Sequence, residues 1–166
     1  MLDRASAPPE KERYFEDFAV GWVGEYGSFA VTEEEVIDFA RRYDPQFFHV
    51  DAEAAARSSF GGLIASGWHT AAMMMRLLVD NVIASTAALG SPGVDEVRWP
   101  RPVRPGDKLS IRVTVRSARR SRSKPDRGVV GFFVEVVNGQ GQAVMTLRAM
   151  GMYRCRDRKA GAEGGI

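Results

Sequence analysis

From residue 109 the chain alternates between apolar and polar positions. Leu109, Ile111, Val113 and Val115 interleave with Ser110, Arg112, Thr114 and Arg116, the period of two expected of a half-buried strand. A second long strand is predicted over 128–137. Ala143, Met145, Leu147, Ala149 and Gly151 define a third, with Asn138-Gly139 as a hairpin signal between them. A short strand is predicted over 94–99, joined to the long ones by the turn-rich segment 101–107. Upstream, a first strand is expected near 23–31, and then the period becomes helical. Thr32-Glu33-Glu34-Glu35 reads as a capping box, after which Val36, Ile37, Phe39, Ala40 and Tyr43 share one helical face. Asp44-Pro45 ends that helix, because the residue before proline avoids helical dihedrals. Asp51 caps a short helix over 52–57. A longer helix is predicted over 67–84, with Trp68, Ala71, Ala72, Met75, Leu78, Val79 and Val82 as one stripe and Met73, Met74, Leu77 and Ile83 covering much of the rest. A helix apolar nearly all round is buried on more than one side, so the methionine run reads as adaptable core packing.

Helices first and a run of antiparallel strands afterwards make an α+β architecture. One buried helix with several long strands suggests a curved sheet wrapped around it. At 166 residues and a net charge of +2, one domain is the expectation, spanning 14–153 between a loose arm over 1–13 and a basic, mobile tail over 154–166. The single cysteine, Cys155, excludes an intrachain disulfide framework. The run Met73-Met74-Met75 ends at Arg76, too short for a membrane span, and the first residues hold no apolar signal core. A reducing, cytoplasmic setting fits these features, with no membrane partner.

The chemistry concentrates between residues 43 and 69. Asp44 and His49 stand five positions apart across a proline-broken turn, close enough to converge on one water. A glycine-bearing approach, Gly61-Gly62, follows, and then Ser66-Gly67 at the head of the long helix, where backbone amides can receive developing negative charge. Ser66 has two readings, a helix cap and an orienting partner for the carboxylate. Trp68 reads as core or pocket wall, and His69 as a structural partner for a buried polar group. With two histidines in the chain and no ligand spacing, no metal site is expected. Gly61-Gly62 lacks the lysine and spacing of a phosphate loop. The basic run over 116–127 reads as a solvated hairpin, with Arg119 and Arg120 as alternative contacts for a ligand phosphate. It has no interleaved aromatics, so nucleic acid is not an expected partner.

These residues, Asp44, His49 and the glycine opening the apolar helix, resemble the MaoC-like dehydratase family, close to its (R)-specific enoyl-CoA hydratases, over roughly 14–153. The family motif runs Gly-Asp-x-Asn-Pro-x-His. Asp44 and His49 match its catalytic acid and imidazole, and Gly67 matches the glycine whose amide binds the thioester oxygen in relatives. Tyr43, Gln46 and Phe47 depart from the motif's Gly, Asn and Pro, which bears on turn geometry and pocket shape. The resemblance implies a hot-dog fold, a curved antiparallel sheet around one long helix. It also implies reversible hydration of a trans-2-enoyl thioester of coenzyme A or an acyl-carrier protein to the (3R)-hydroxyacyl product, with Ser66, Gly67 and Trp68 at the substrate. No cofactor is implied beyond the coenzyme A carried by the substrate. A homodimer or dimer of dimers is expected. A thioesterase on the same fold and a non-catalytic acyl-binding subunit are the competing readings.

Overall fold

The computed structural model describes residues 12–83 and 87–157. Five strands form one antiparallel sheet: β1 (Val23–Ala30), β2 (Val94–Arg98), β3 (Lys108–Arg120), β4 (Arg127–Val137) and β5 (Ala143–Arg154), in spatial order β1-β3-β4-β5-β2. The helices are α1 (Glu33–Tyr43), α2 (Phe47–Val50), α3 (Ala52–Ala56) and α4 (Gly67–Leu78), the last continuing as a wider π-helical turn over Val79–Ile83. α4 packs across β1, β3 and β5. This is the α+β hot-dog arrangement, a sheet around a central helix.

The alternation along β3 is what builds the core. Leu109, Ile111, Val113 and Val115 all point inward and are essentially inaccessible, and they face Val130, Val134 and Val136 of β4 in the same layer. A register shift between Val115 and Ser117 places Arg116 and Ser117 both outside, as a bulge does. β3 therefore continues to Arg120 past the point where the period of two breaks. β5 also runs longer than its apolar pattern, because its pairing with β4 continues to Arg127 opposite Arg154.

α4 meets the sheet through Met73, Met74, Leu77 and Leu78, so of the expected stripe Leu78 and Val82 are buried and the exposed members are corrected. Trp68, Met75 and Val79 are exposed and lie on the side turned away from the sheet. A helix apolar all round has no polar face to declare its orientation, so docking against β1, β3 and β5 decides it. The helix caps are as expected, with one difference. Thr32 Oγ1 accepts from the Glu35 N–H (3.2 Å), but its own hydroxyl donates to Glu35 Oε2 (3.0 Å). Asp51 Oδ1 accepts from the Ala54 N–H at the head of α3 (2.9 Å).

The start of the expected tail packs against the segment before β1. Cys155 is buried, and the Arg156 guanidinium forks onto both oxygens of Asp17 (2.7 and 2.6 Å) while its N–H reaches Glu16. The remainder of the tail, 158–166, and most of the N-terminal arm, 1–11, lie outside the described residues, as does position 84, where the long helix was expected to end. Among the described residues no helix is long and apolar enough to cross a membrane.

Candidate functional site

Asp44 is the C-cap of α1; its N–H closes the last turn on the Ala40 carbonyl (2.8 Å) before Pro45 turns the chain out. The Gln46 N–H bonds the Asp44 carbonyl (2.8 Å) and the His49 N–H bonds the Gln46 carbonyl (2.9 Å). The single helical turn α2 thus swings the imidazole back over the carboxylate. His49 Nε2 lies 3.4 Å from Asp44 Oδ2. Both carboxylate oxygens also have donors: Ser66 Oγ–H on Oδ2 (2.6 Å) and Gln46 Nε2–H on Oδ1 (2.8 Å).

The Ser66 hydrogen bond does most to hold the Asp44 carboxyl below its ordinary pKa, outweighing burial, which acts the other way; Gln46 and the charge of His49 add to the lowering. Hydrogen bonds to the ionised form favour it. A folded-state pKa below the unfolded value contributes stability that is present above the unfolded pKa and lost as pH falls through the folded one. Replacing Ser66 with Ala is expected to move the Asp44 titration up toward the ordinary carboxylate value and to erode that stability at a higher pH. Chemical denaturation of both proteins between pH 2.5 and 6, all values about the carboxylate range, checks this; superimposable pH profiles would contradict it.

His49 is 4 % exposed, and its Nδ1 lies 2.8 Å from the Ile64 carbonyl oxygen. A carbonyl only accepts, so the ring carries a proton on Nδ1, and in the neutral ring Nε2 is left with a lone pair. With the ring neutral, the dyad presents two acceptors, Nε2 and Oδ2, 3.4 Å apart. An arrangement of this kind can hold one water by its two hydrogens and take a proton from it.

Ser66 is fully buried, and its two readings hold together. Its hydroxyl donates to Asp44 and accepts from the Trp68 N–H (3.2 Å), so the group that caps α4 also orients the carboxylate. The Gly67 N–H has no hydrogen-bond partner among the described residues and sits at the positive end of α4. Trp99 Nε1–H donates to the Gly67 carbonyl (3.0 Å), and a Cβ on Gly67 would lie 2.7 Å from Trp99 Cε2. Glycine stands here because an indole occupies the side-chain space. Trp68 meets Trp99 edge to face at 5.4 Å. It is 61 % exposed, so it is not core in this chain and flanks the head of α4 from outside.

The other expected residues are not brought to the dyad. His69 lies flat on Phe39 of α1 (4.7 Å, 11°), with Nδ1 buried and unpartnered. Burial pushes its pKa down, with Glu35 opposing. Arg119 and Arg120 lie at the far end of β3, opposite Val129 and Gly128. The near end of β3 adjoins the turn that bonds Ala65 through the Val103 carbonyl, and ten residues of strand between them span roughly 33 Å. The Arg120 guanidinium donates to the Pro125 carbonyl within its own hairpin (2.9 Å) and to the Asp157 carbonyl beyond β5 (2.8 Å). The pair expected as alternative phosphate contacts thus stands at the end of β3 away from that turn. Sequence reasoning missed Gln46 as a carboxylate donor, the Ile64 carbonyl and Trp99. Only Gln46 carried a signal, as a polar residue inside the motif. Among the described residues no group of three or more His, Cys, Asp or Glu side chains is placed to hold a metal ion.

Comparison with known proteins bears on the fold and the family. The MaoC like domain profile matches residues 23–137, more than half of the chain. A MaoC-like dehydratase from Rhodospirillum rubrum is 40% identical, with a TM-score of 0.81 over 87% of this chain and 99% of that one. The R-hydratase PhaJ1 from Pseudomonas aeruginosa is 25% identical, with a TM-score of 0.67 over 86% of each chain. The 3-hydroxyacyl-thioester dehydratase Z of Mycobacterium tuberculosis is 37% identical over 89 residues, which span 52% of this chain and 59% of that protein. A hot-dog sheet, an acid–imidazole pair at the turn before its central helix and a profile match across most of the fold lead to one conclusion: the chain belongs to the MaoC-like dehydratase family.

Proposed function

We propose that the protein catalyses the reversible addition of water to a trans-2-enoyl thioester, carried by coenzyme A or an acyl-carrier protein, to give the (3R)-hydroxyacyl thioester. The observation that carries this reading is the dyad itself. In the neutral Nδ1–H tautomer, His49 Nε2 and the ionised Asp44 Oδ2, 3.4 Å apart, suit a water that donates a hydrogen to each and keeps a lone pair for the β-carbon. Imidazole is a stronger base than a carboxylate, and Asp44 is held weaker still. The proton leaving the attacking water therefore goes to His49 Nε2, where Asp44 faces the cation it forms. The same proton is returned to the α-carbon, so the pair ends as it began. Between the two transfers the negative charge sits on the thioester oxygen. The free Gly67 N–H at the head of α4 is the donor suited to it. No cofactor enters the scheme. The names of the R-hydratase and the thioester dehydratase to which the chain is similar agree with this chemistry.

The active form is proposed to be a homodimer. Among the described residues Trp68, Met75 and Val79 form an exposed apolar stripe along α4 and its π-helical turn, and β2 is an edge strand of the sheet; exposed apolar patches and edge strands of this kind mark interaction surfaces. Sedimentation at micromolar concentration is expected to give a dimer, and a monomer would contradict it. The activity is tested by following loss of enoyl absorbance with a panel of trans-2-enoyl-CoA esters while assaying free thiol. Hydration without thiol release is the expected result. Thiol release with the double bond intact would replace this reading with hydrolysis.

A further inference from the structure

The segment between the dyad and α4 is held from both sides. On one side the Ile64 carbonyl receives His49 Nδ1–H (2.8 Å), and the Ile64 N–H donates to the Phe48 carbonyl (3.2 Å). On the other, the Ala65 N–H donates to the Val103 carbonyl (2.8 Å). Next to Val103, Arg104 sends its Nη2–H to the carbonyl of Phe60. Its Nη1 passes over Gly62, where a Cβ would lie 3.2 Å from it. Gly61 and Gly62 have φ of +64° and +155°, dihedrals that side chains disfavour. The loop they form is not a shape the backbone holds by default.

Arg104 is itself firmly based. Its N–H donates to Asp107 Oδ2 (2.8 Å), and the Asp107 N–H returns to the Arg104 carbonyl (3.1 Å). The Gly106 and Val31 N–H groups tie this turn to the residue after β1 (2.8 and 2.9 Å). The loop it grips carries Phe60 against Phe48 (5.0 Å), and Phe48 lies edge to face with His49 (4.5 Å).

We infer that Arg104 is a positioning residue for the dyad: by latching the Phe60 carbonyl it holds the Gly61-Gly62 loop in the shape that sets the Ile64 carbonyl on His49 Nδ1, and so fixes the imidazole tautomer with a basic Nε2. Arg104 is bonded to neither dyad residue. It acts through the loop, and it gives the paired glycines a purpose that a phosphate loop does not. A fixed tautomer matters because the alternative places a hydrogen on Nε2, where the water must donate.

The kinetic half of the test rests on the proposed hydration; the spectroscopic half does not. The chain holds two histidines, so a ¹⁵N-imidazole NMR spectrum contains two rings. In the wild type His49 is expected as the single Nδ1–H tautomer. In Arg104→Ala, once thermal melting shows it to be folded, His49 is expected as a mixture of tautomers. Its kcat is expected to fall by up to about 10²-fold, as small displacements of acid–base groups do, with KM little changed. Arg104→Lys, which keeps a donor at shorter reach, is expected to lie between. Should Arg104→Ala not fold, Gly62→Ala, which crowds Nη1 from the loop side, is expected to give the same mixture. A folded Arg104→Ala with a wild-type His49 spectrum overturns the inference. So does a rise in KM alone with tautomer and kcat unchanged, which would assign the guanidinium to a substrate phosphate. A wild type inactive toward every enoyl thioester would sink the hydratase reading while leaving the tautomer result to stand or fall separately.

Discussion

Asp44→Asn is expected to leave a folded protein that hydrates trans-2-enoyl thioesters about 10²–10⁴-fold more slowly, the range that acid–base groups contribute. The substitution keeps the shape of the side chain and removes its charge. It also creates a conflict among donors. Ser66 Oγ–H and Gln46 Nε2–H both point at the carboxylate (2.6 and 2.8 Å), and an amide offers one of them an NH₂ instead of an oxygen. If the amide turns its oxygen to Gln46, its NH₂ faces both Ser66 and His49 Nε2, and the lone pair proposed to take the water's proton is occupied. If it turns the other way, Gln46 loses its acceptor, and the imidazolium formed on proton transfer faces no anion. Either orientation disables the pair. The loss should fall on kcat, since the proposed role places the group on the reacting atoms. His49→Ala is expected to lose activity to a similar degree by removing the base outright. The check is steady-state hydration of an enoyl-CoA ester, alongside circular dichroism melting to establish that each variant folds. Near-wild-type turnover in either folded variant would end the assignment of the dyad.

The dyad is legible in the sequence because its convergence is local. Asp44 and His49 are joined by one turn, and the proline that ends α1 is itself part of the signal. The strands β3 to β5 are legible for a similar reason, since alternation records which face is buried. Properties set at long range are not legible. The face of α4 that meets the sheet is decided by docking, so Trp68 and Met75 could be assigned inward from periodicity and lie outward in the fold. The distance of Arg119 and Arg120 from the dyad depends on β3 running 13 residues through a bulge, and the bulge erases the alternation that would have announced it. Trp99 reaches Gly67 across 32 positions, and Arg104 reaches Phe60 across 44. Neither contact leaves a trace in local pattern, although both shape the segment that carries the chemistry.

Gly67→Ala tests the other half of the site, and here two effects compete. Alanine is a better helix former than glycine by about 1 kcal/mol, so propensity alone favours the variant. The structure opposes it. The new Cβ would stand 2.7 Å from Trp99 Cε2, 2.9 Å from Nε1 and 3.0 Å from Cδ2, closer than a methyl and an aromatic ring approach without movement. The indole is not a flexible end that can swing aside freely. Its Nε1–H is bonded to the Gly67 carbonyl and its ring meets Trp68. Overpacking of this kind costs about 1–3 kcal/mol, which exceeds the propensity gain, so a net loss of stability is expected. The larger effect is on turnover. Either the indole leaves Gly67 or the first turn of α4 shifts, and both move the free N–H assigned to the thioester oxygen. Losing one such donor costs on the order of 10²–10³ in kcat. Trp99→Ala removes the clash, so the double variant should be more stable than the sum of the two single changes predicts, a coupling expected of groups in contact. A chemical-denaturation cycle over the four proteins measures that coupling, and enoyl hydration by the same four measures the donor. Additive stabilities would show that Trp99 does not constrain residue 67. Wild-type kcat in Gly67→Ala would remove its N–H from the mechanism and leave the charge on the thioester oxygen to another group.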